Sequence, residues 1–293
     1  MTIDVVILAA GQGTRMKSTL PKVLHHLGGK PLIQHVVNTA TTVPNSDITI
    51  VTGYASEQII TSVVGDNLRY VYQKEQLGTA HAVKVAISSL TSTGITLVVY
   101  GDVPLISSET LMATLDVVNN NTMGLLTAHN VKPEGYGRVL RDKQGQIYGI
   151  VEQKDATLEE QKIQEVNTGV MAIRTDRLQE WLPQIENDNA QNEYYLTDLI
   201  AIANREGIII KSVQPGCLQE VEGVNTRIQL SELERFYQYE KAKDLMFNGA
   251  TLADPRRVEI RGELNCGMDN FIDINAVFVG QVRLGKNVTI GPN

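Results

Sequence analysis

A glycine-containing turn follows the first apolar run of the chain, Leu8-Ala9-Ala10-Gly11-Gln12-Gly13-Thr14-Arg15-Met16, and Pro21-Lys22 comes shortly after. A turn of this kind behind a parallel strand presents backbone N–H groups to a phosphate. It is not a dinucleotide fingerprint, because Met16 stands where the third glycine belongs, and it lacks the Gly-Lys-Ser/Thr end of a Walker A loop. By itself the G-x-G pattern fits a tight strand turn equally well. Arg15 inside the turn and Lys22 beyond it add two cations beside the backbone donors, a combination suited to a polyphosphate whose charge grows in a pentavalent transition state. The competing reading of both is a pair of solvated surface charges. A second candidate is Asp102, which closes the apolar run ending Tyr100-Gly101. The carboxyl end of a strand is where open α/β sheets bind ligands. One carboxylate there suits Mg²⁺, which keeps waters and shares itself between one or two protein oxygens and substrate phosphates.

These groups need a scaffold, and the 293 residues are enough for two domains. Short β-branched runs alternate with helical patterns as far as about Arg227, the signature of an α/β fold. Strands are expected at 5–9, 48–52, 68–72, 95–100, 123–128, 147–152, 170–173 and 208–213, with helices at 32–42, 80–90, 109–119 and 195–205. The continuous apolar strands argue for a mainly parallel sheet covered on both faces. Residues 225–247 contain no Gly or Pro and read as one long connecting helix stopped by Gly249. Beyond it Ile260, Cys266, Ile272, Phe278, Leu284 and Ile290 fall six residues apart, and Val258, Leu264, Ala276, Val282 and Val288 keep the same beat, interrupted by Asn270. That is the sequence form of hexapeptide repeats in a β-helix, with about three hexapeptides to a coil. The competing reading is a short β appendage with accidental periodicity. The expected boundaries are 1–225, 226–249 for the connector, and 250–293 for the repeats. A solenoid that stops at Gly291-Pro292-Asn293 without a cap suggests a longer parent.

Composition removes several function classes. The formal charge is −7 with no Lys/Arg block, so nucleic acid is a poor partner. No stretch has the length of apolar sequence needed to span a membrane, and the first ten residues lack a basic segment ahead of their apolar run, which leads to the expectation of a cytoplasmic protein. Two cysteines, Cys217 and Cys266, make no disulfide framework or metal cluster with five scattered histidines.

The run Leu8 to Met16 followed by Pro21-Lys22 resembles the signature of the sugar-nucleotide pyrophosphorylases, which join a sugar 1-phosphate to a nucleoside triphosphate. The resemblance extends over the whole chain and is closest to the bacterial bifunctional N-acetylglucosamine-1-phosphate uridyltransferases and glucosamine-1-phosphate acetyltransferases. It is carried by Gln73-x-x-Gln76-Leu77-Gly78-Thr79-Ala80-His81-Ala82, Tyr100-Gly101-Asp102-Val103-Pro104-Leu105, Gly135-Tyr136-Gly137-Arg138, Asn167-Thr168-Gly169 and Glu220-Val221-Glu222-Gly223-Val224-Asn225, and by the connecting helix and the hexapeptide tail. Departures are small: Gln12 stands where a lysine is common, and Gln153 sits at a variable position.

The resemblance implies a Rossmann-like nucleotidyltransferase domain with a mainly parallel mixed sheet, followed by a short left-handed parallel β-helix through which the chain forms a homotrimer. It implies in-line attack by N-acetylglucosamine 1-phosphate on the α-phosphorus of UTP, giving UDP-N-acetylglucosamine and pyrophosphate. Arg15 and Lys22 become the catalytic cations, and Asp102 and Asn225 the Mg²⁺ ligands, although Asn225 could equally be a helix N-cap. Leu8, Ala9, Ala10, Gly11 and Gly13 line the nucleotide. Gln73 and Gly78-Thr79 read the uracil, although Thr79 also fits an ordinary helix N-cap. Tyr100, Gly101, Gly137, Glu152 and Asn167 complete the substrate pocket, with the polar segment 187–195 as a mobile loop closing over it. From sequence alone Glu152 would pass for surface charge. Two rival readings are a pyrophosphorylase for another sugar or nucleotide, and a scaffold that binds a nucleotide sugar without turning it over. Acetyl transfer, which in the parent family uses later coils and a neighbouring subunit, is expected to be absent.

Overall fold

The computed structural model describes residues 2–91, 93–130 and 133–293. The chain divides into two compact units, one made of Met1–Gln12 and Ile33–Gly223, the other of Gly13–Leu32 and Val224–Asn293. The segment carrying Arg15 and Lys22 therefore groups with the C-terminal part of the chain.

The first unit is built on a nine-stranded sheet. Its strands are β1 (Ile3–Ala9), β2 (Ser46–Thr52), β3 (Arg69–Tyr72), β4 (Ile95–Tyr100), β5 (Thr122–His129), β6 (Gly137–Arg141), β7 (Ile147–Val151), β8 (Glu165–Arg174) and β9 (Ile209–Val213). The order is β9-β5-β8-β4-β1-β2-β3, with β6 paired to β8 and β7 paired to β6. β1 lies parallel to both β2 and β4, while β8 runs antiparallel to β4 and β5, so the sheet is mixed. Helices α1 (Leu32–Ala40), α2 (Ser56–Ser62), α3 (Thr79–Ala86), α4 (Ser108–Asp116), α5 (Thr175–Trp181) and α6 (Asp198–Arg205) complete the unit. One buried cluster joins Val6, Leu8, Val98, Leu125 and Met171 of the strands to Val83, Trp181 and Ile200 of the helices. β4 is almost wholly buried, as its unbroken apolar run requires.

Four expectations need correction. β6 lies outside the expected strands, and its Arg138 is buried. α2 and α5 are short, and their polar residues obscure a helical face. β8 starts at Glu165, not Val170, and takes in Asn167-Thr168-Gly169, where the register with β5 shifts. The bulged stretch is anchored by Thr168 Oγ1, which donates to the Leu126 carbonyl at 2.8 Å. α6 starts three residues later than the expected helix, at Asp198.

In the second unit, α7 spans Arg227–Phe247. Its N-cap is Thr226, whose Oγ1 accepts from the Gln229 N–H at 3.2 Å while Gln229 Oε1 accepts from the Thr226 N–H at 3.0 Å, a reciprocal capping box. Strands β10 (Ala250–Leu252), β11 (Val258–Cys266), β12 (Asn270–Ile272), β13 (Ala276–Leu284) and β14 (Thr289–Ile290) follow. All pair in parallel: β11 meets β13 with every residue opposite the one 18 positions later, from Val258 with Ala276 to Cys266 with Leu284. The same offset joins Phe271 to Thr289. The residues on the six-residue beat face one core, in which Val258, Ile260, Ile272, Ala276 and Phe278 are buried against Ala242 and Leu245 of α7.

Asn270, which interrupts the apolar beat, is 1% exposed and fully used. Its Nδ2 donates to the carbonyls of Gly267 and Gly285 at 3.0 and 2.8 Å, and its Oδ1 accepts from the Val288 N–H at 2.7 Å. One side chain thus satisfies backbone groups in two successive turns of chain. Asn270→Ala leaves those three groups without their partner and is expected to lower the stability of this unit by about 2–4 kcal/mol. Faster amide hydrogen exchange at Val288, with exchange in β1 and β4 unchanged, is the corresponding readout.

Candidate functional site

The first unit places seven of the candidate residues, Leu8 to Gly11 and Tyr100 to Asp102, at the carboxyl ends of β1 and β4. These strands are neighbours, with Leu8 opposite Tyr100, but the chain leaves β1 for β2 on one side and takes up β4 on the other. This is the switch point at which open α/β sheets leave a crevice. The Gly101 N–H donates to the Leu8 carbonyl at 2.9 Å and holds the two strand ends together. Ala9 and Ala10 are buried, Gly11 is exposed, and Asp102 is half-buried.

Gln73 is 2% exposed. Its Nε2 donates to the Gly78 carbonyl at 3.2 Å and contacts His81 Nδ1 at 3.0 Å. A carbonyl only accepts, so the amide nitrogen must face it and Oε1 is the end suited to read an N–H of a base. Thr79 is the first residue of α3 and not its cap; Gly78 takes the cap position. The Thr79 hydroxyl accepts instead from the Leu196 N–H at 3.0 Å and also bonds to Tyr100. The backbone of Tyr194 joins the same zip, accepting from Ala80 and donating to Leu77 at 2.9 and 2.8 Å.

Behind Tyr100, Gly169 adopts φ +87° and passes so close to the ring that a Cβ would fall 2.4 Å from it. Asn167, paired with Gly137 across β8 and β6, accepts from the Gly169 N–H at 3.0 Å. The backbone of Gly137 faces both carboxylate oxygens of Glu152, and Thr197 Oγ1 donates to Glu152 Oε1 at 3.1 Å. Burial raises the proton affinity of the Glu152 carboxyl, as do the charges of Asp155 and Asp198, against the Thr197 hydrogen bond and the charge of Arg138. Burial, together with the charges of Glu152 and Asp102, likewise pushes the Tyr100 hydroxyl well above its ordinary range. Tyr136, whose hydroxyl is hydrogen-bonded to the backbone of Gly223, is raised by burial and by the charges of Glu222 and Asp102.

In the second unit, Gly13 has φ +66°, and a Cβ there would lie 2.4 Å from Lys22 Cβ. Only glycine lets the turn close on Lys22. Arg15 Nη2 and Lys22 Nζ both donate to Asn225 Oδ1, at 2.9 and 3.0 Å. The N-cap role that competed for Asn225 belongs to Thr226, so the Asn225 side chain is turned to the two cations. Arg227 Nε braces the turn through the Met16 carbonyl at 3.1 Å.

Comparison with known proteins adds the family. Residues 5–161 match the MobA-like NTP transferase domain. The chain belongs to this NTP transferase family. It is 52% identical over 291 residues to the "Bifunctional protein GlmU" of Marinobacter nauticus, covering 99% of this chain and 64% of that protein. It is 50% identical over 293 residues to the protein of the same description from Idiomarina loihiensis, covering 100% of this chain and again 64% of the relative. The chain thus spans about two-thirds or slightly less, 64%, of the length of these curated relatives. Among solved structures it resembles a UDP-glucose pyrophosphorylase complexed with UDP-glucose, with a TM-score of 0.66 at 20% identity over 82% of this chain and 100% of the other. A putative glucose-1-phosphate thymidylyltransferase from Bacillus anthracis gives 0.62 at 18% identity, over 80% and 95%. At these identities the likeness concerns the fold.

The donor set of the NTP transferase fits a hard divalent cation held mainly by a nucleotide. Among the described residues no three His, Cys, Asp or Glu side chains gather as a closed metal site. The half-buried Asp102 carboxylate is a hard oxygen donor of the kind a divalent cation takes when most of its other ligands are not from the protein. Asn225 Oδ1 is also a hard oxygen, but it carries two cationic donors and must shed them before it can bind a metal. Sequence reasoning did not single out Tyr136, Tyr194 or Thr197; the first lies within a quoted motif, while Thr197 sits in a stretch with no signal of its own. The polar segment 187–195 meets residues 154–155: Ala190 N–H donates to Asp155 at 2.9 Å and Lys154 donates to Gln191 at 2.7 Å. No helix among the described residues is long and apolar enough to cross a membrane.

Because the Glu152 carboxyl binds its proton more tightly in the folded than in the unfolded chain, stability falls as pH rises through the interval between the two pKa values and stays lower above it. Glu152→Gln keeps the acceptor for Thr197 without the buried charge. It is expected to raise the melting temperature at neutral pH, and the gain should vanish below about pH 4. An equal gain at both pH values would contradict a buried-charge origin.

Proposed function

We propose that the chain transfers UMP from UTP to N-acetylglucosamine 1-phosphate, releasing pyrophosphate and UDP-N-acetylglucosamine, and that it uses Mg²⁺. The observation that carries this reading is the juxtaposition in the first unit of an acceptor fit for a base N–H, Gln73 Oε1, with a pocket wall of Gly137, Glu152 and Asn167 fit for a sugar. Glu152 and Asn167 together offer acceptors and a donor to sugar hydroxyls and an acetamido group. The half-identity to two bifunctional GlmU proteins supports the same choice of substrate class.

The attacking phosphate oxygen is already anionic, so the reaction needs no general base; positioning and charge stabilisation carry the rate. Arg15 and Lys22 hold the triphosphate as charge builds on it, leaving Asn225 Oδ1 in the process. Asp102 and Asn225 would hold the Mg²⁺, which would supply neutralisation of phosphate charge when bound. Leu8, Ala9, Ala10, Gly11 and Gly13 shape the nucleotide cradle, and Thr79, Tyr100 and Gly101 keep the strand ends in register beside it. We infer also that residues 250–293 form the first coils of a left-handed parallel β-helix and that the chain assembles as a homotrimer through it; the uniform 18-residue offset between β11 and β13 supports three hexapeptides per coil.

Pyrophosphate release with Mg²⁺ and UTP should be strongest with N-acetylglucosamine 1-phosphate, and at least about tenfold weaker with glucose 1-phosphate or glucosamine 1-phosphate. Preference for glucose 1-phosphate would keep the chemistry and overturn the roles of Glu152 and Asn167. UTP binding without turnover of any sugar phosphate would favour a scaffold. In the same assay Arg15→Ala and Asp102→Ala are each expected to lower kcat by about 100-fold or more with the circular dichroism spectrum unchanged; a variant of near-full activity removes its residue from the mechanism.

A further inference from the structure

β6 carries a guanidinium into the interior of the first unit. Arg138 is 1% exposed, and its hydrogen bonds go to neutral oxygens: Nη2 donates to Gln153 Oε1 at 2.7 Å and Nη1 donates to the Tyr136 carbonyl. Nε is buried and has no hydrogen-bond partner among the described residues. Burying a charge whose hydrogen bonds go to neutral acceptors is unfavourable, and the carboxylates that support this one through space are Glu134 first and Glu152 second. The placement makes sense through what lies around it. Arg138 stands opposite Val151 of β7 and Val166 of β8, one residue from Glu152 and one from Asn167. Its neighbour Gly137 backs onto the Glu152 carboxylate. Gln153 Oε1 also accepts from the Gly135 N–H at 3.2 Å, so the turn Gly135-Tyr136-Gly137 is gripped at its first residue by Gln153 and at its second by Arg138.

We propose that Arg138 and Gln153 are positioning residues for the sugar-phosphate pocket: their clasp fixes the Gly135–Gly137 turn against Glu152, with the guanidinium as the cation on that side of the carboxylate. The inference rests on the role proposed above for Glu152 as an acceptor from the sugar. The groups acting on Glu152 are Thr197, which donates a hydrogen bond, the carboxylates Asp155 and Asp198, and Arg138, while the hydroxyls of Tyr100 and Tyr195 feel the Glu152 charge in return. Two carboxylates and burial favour the neutral acid, and Arg138 is the cation of the set that opposes them. Without it Glu152 would be a hydrogen-bond donor over more of the working pH range and a poorer acceptor from a sugar hydroxyl.

Arg138→Gln removes the charge and keeps a donor for the Tyr136 carbonyl, whereas Arg138→Lys keeps the charge and loses the planar fork. In the full chain, the Glu152 carboxyl can be followed by ¹³C NMR titration and assigned by its disappearance in Glu152→Gln. We expect its titration to move to higher pH in Arg138→Gln and to return toward the wild-type position in Arg138→Lys. The acid limb of kcat/KM for the sugar phosphate should move with it, while KM for UTP stays within about twofold. Gln153→Ala, at a half-buried position where folding is less at risk, should raise KM for the sugar phosphate by about fivefold with kcat retained. An unmoved Glu152 titration in Arg138→Gln overturns the charge role, and an unchanged KM in Gln153→Ala overturns the clasp. A moved titration in a chain whose wild type turns over no sugar phosphate overturns the pocket assignment and leaves the electrostatic link between Arg138 and Glu152 established.

Discussion

The parallel pairing of β1 with β4 on one side and β2 on the other is the constraint from which the first unit follows. Each strand end exposes backbone groups that the sheet no longer pairs, and the Gly101 N–H to Leu8 carbonyl bond is the last one available before the chains diverge. A crevice must open where they part. The residues just past those ends leave the ladder while still fixed by it, which is how Gly11 and Asp102 can be held by a rigid sheet and remain accessible. β8 adds a second requirement. By running antiparallel beside β4 it brings its bulged stretch at Asn167 to the same edge, and the close approach of Gly169 to Tyr100 locks the two strands side by side.

Each unit has an electrostatic character of its own. The edge of the first unit gathers Asp102, Glu152, Asp155, Asp198 and Glu222, whose mutual influence shows in the raised proton affinities of Glu152, Asp198, Tyr100 and Tyr136. Such an edge suits a cation or a hydroxyl-rich ligand and opposes a bare polyphosphate. In the second unit Arg15 and Lys22 both donate to one neutral amide oxygen, Asn225 Oδ1. A phosphate is a stronger acceptor than an amide. The resting contact on Asn225 is consequently one that a polyphosphate would outcompete.

Much of this was legible in the sequence because the strands that matter are buried on both faces and read as unbroken apolar runs, as β1 and β4 do. The six-residue beat was equally legible, since each of its positions faces one core. What the sequence hid were polar residues doing interior work. Arg138 and Asn270 look like a surface charge and a broken repeat, and each is 1% exposed with its partners supplied by backbone or amide groups distant in pattern though not always in sequence. Thr79 and Asn225 were ambiguous for a different reason: each sits one position away from a helix cap, and only the dihedral angles reveal that Gly78 and Thr226 take those places. Cap preference favours a residue type and does not fix its position to within one residue.

The hidden residues share a physical logic. A buried polar side chain is tolerated only when its hydrogen bonds are met, and meeting them constrains several backbone segments at once. Asn270 joins two turns of the C-terminal repeats because its three bonds can be satisfied only when those turns are stacked in register. Arg138 does the same for β6 and the turn before it, but incompletely, since its Nε has no hydrogen-bond partner among the described residues and its charge no contacting carboxylate among the hydrogen bonds it makes. An interior built for stability alone would favour the first arrangement over the second. Arg138 answers to two carboxylates, Glu134 first and Glu152 second, and the proton affinity of Glu152 is raised even with that cation nearby. A cation and a carboxylate that are each costly to bury alone offset part of that cost at a shared edge, which ties the stability of this edge of the sheet to the charge state of Glu152.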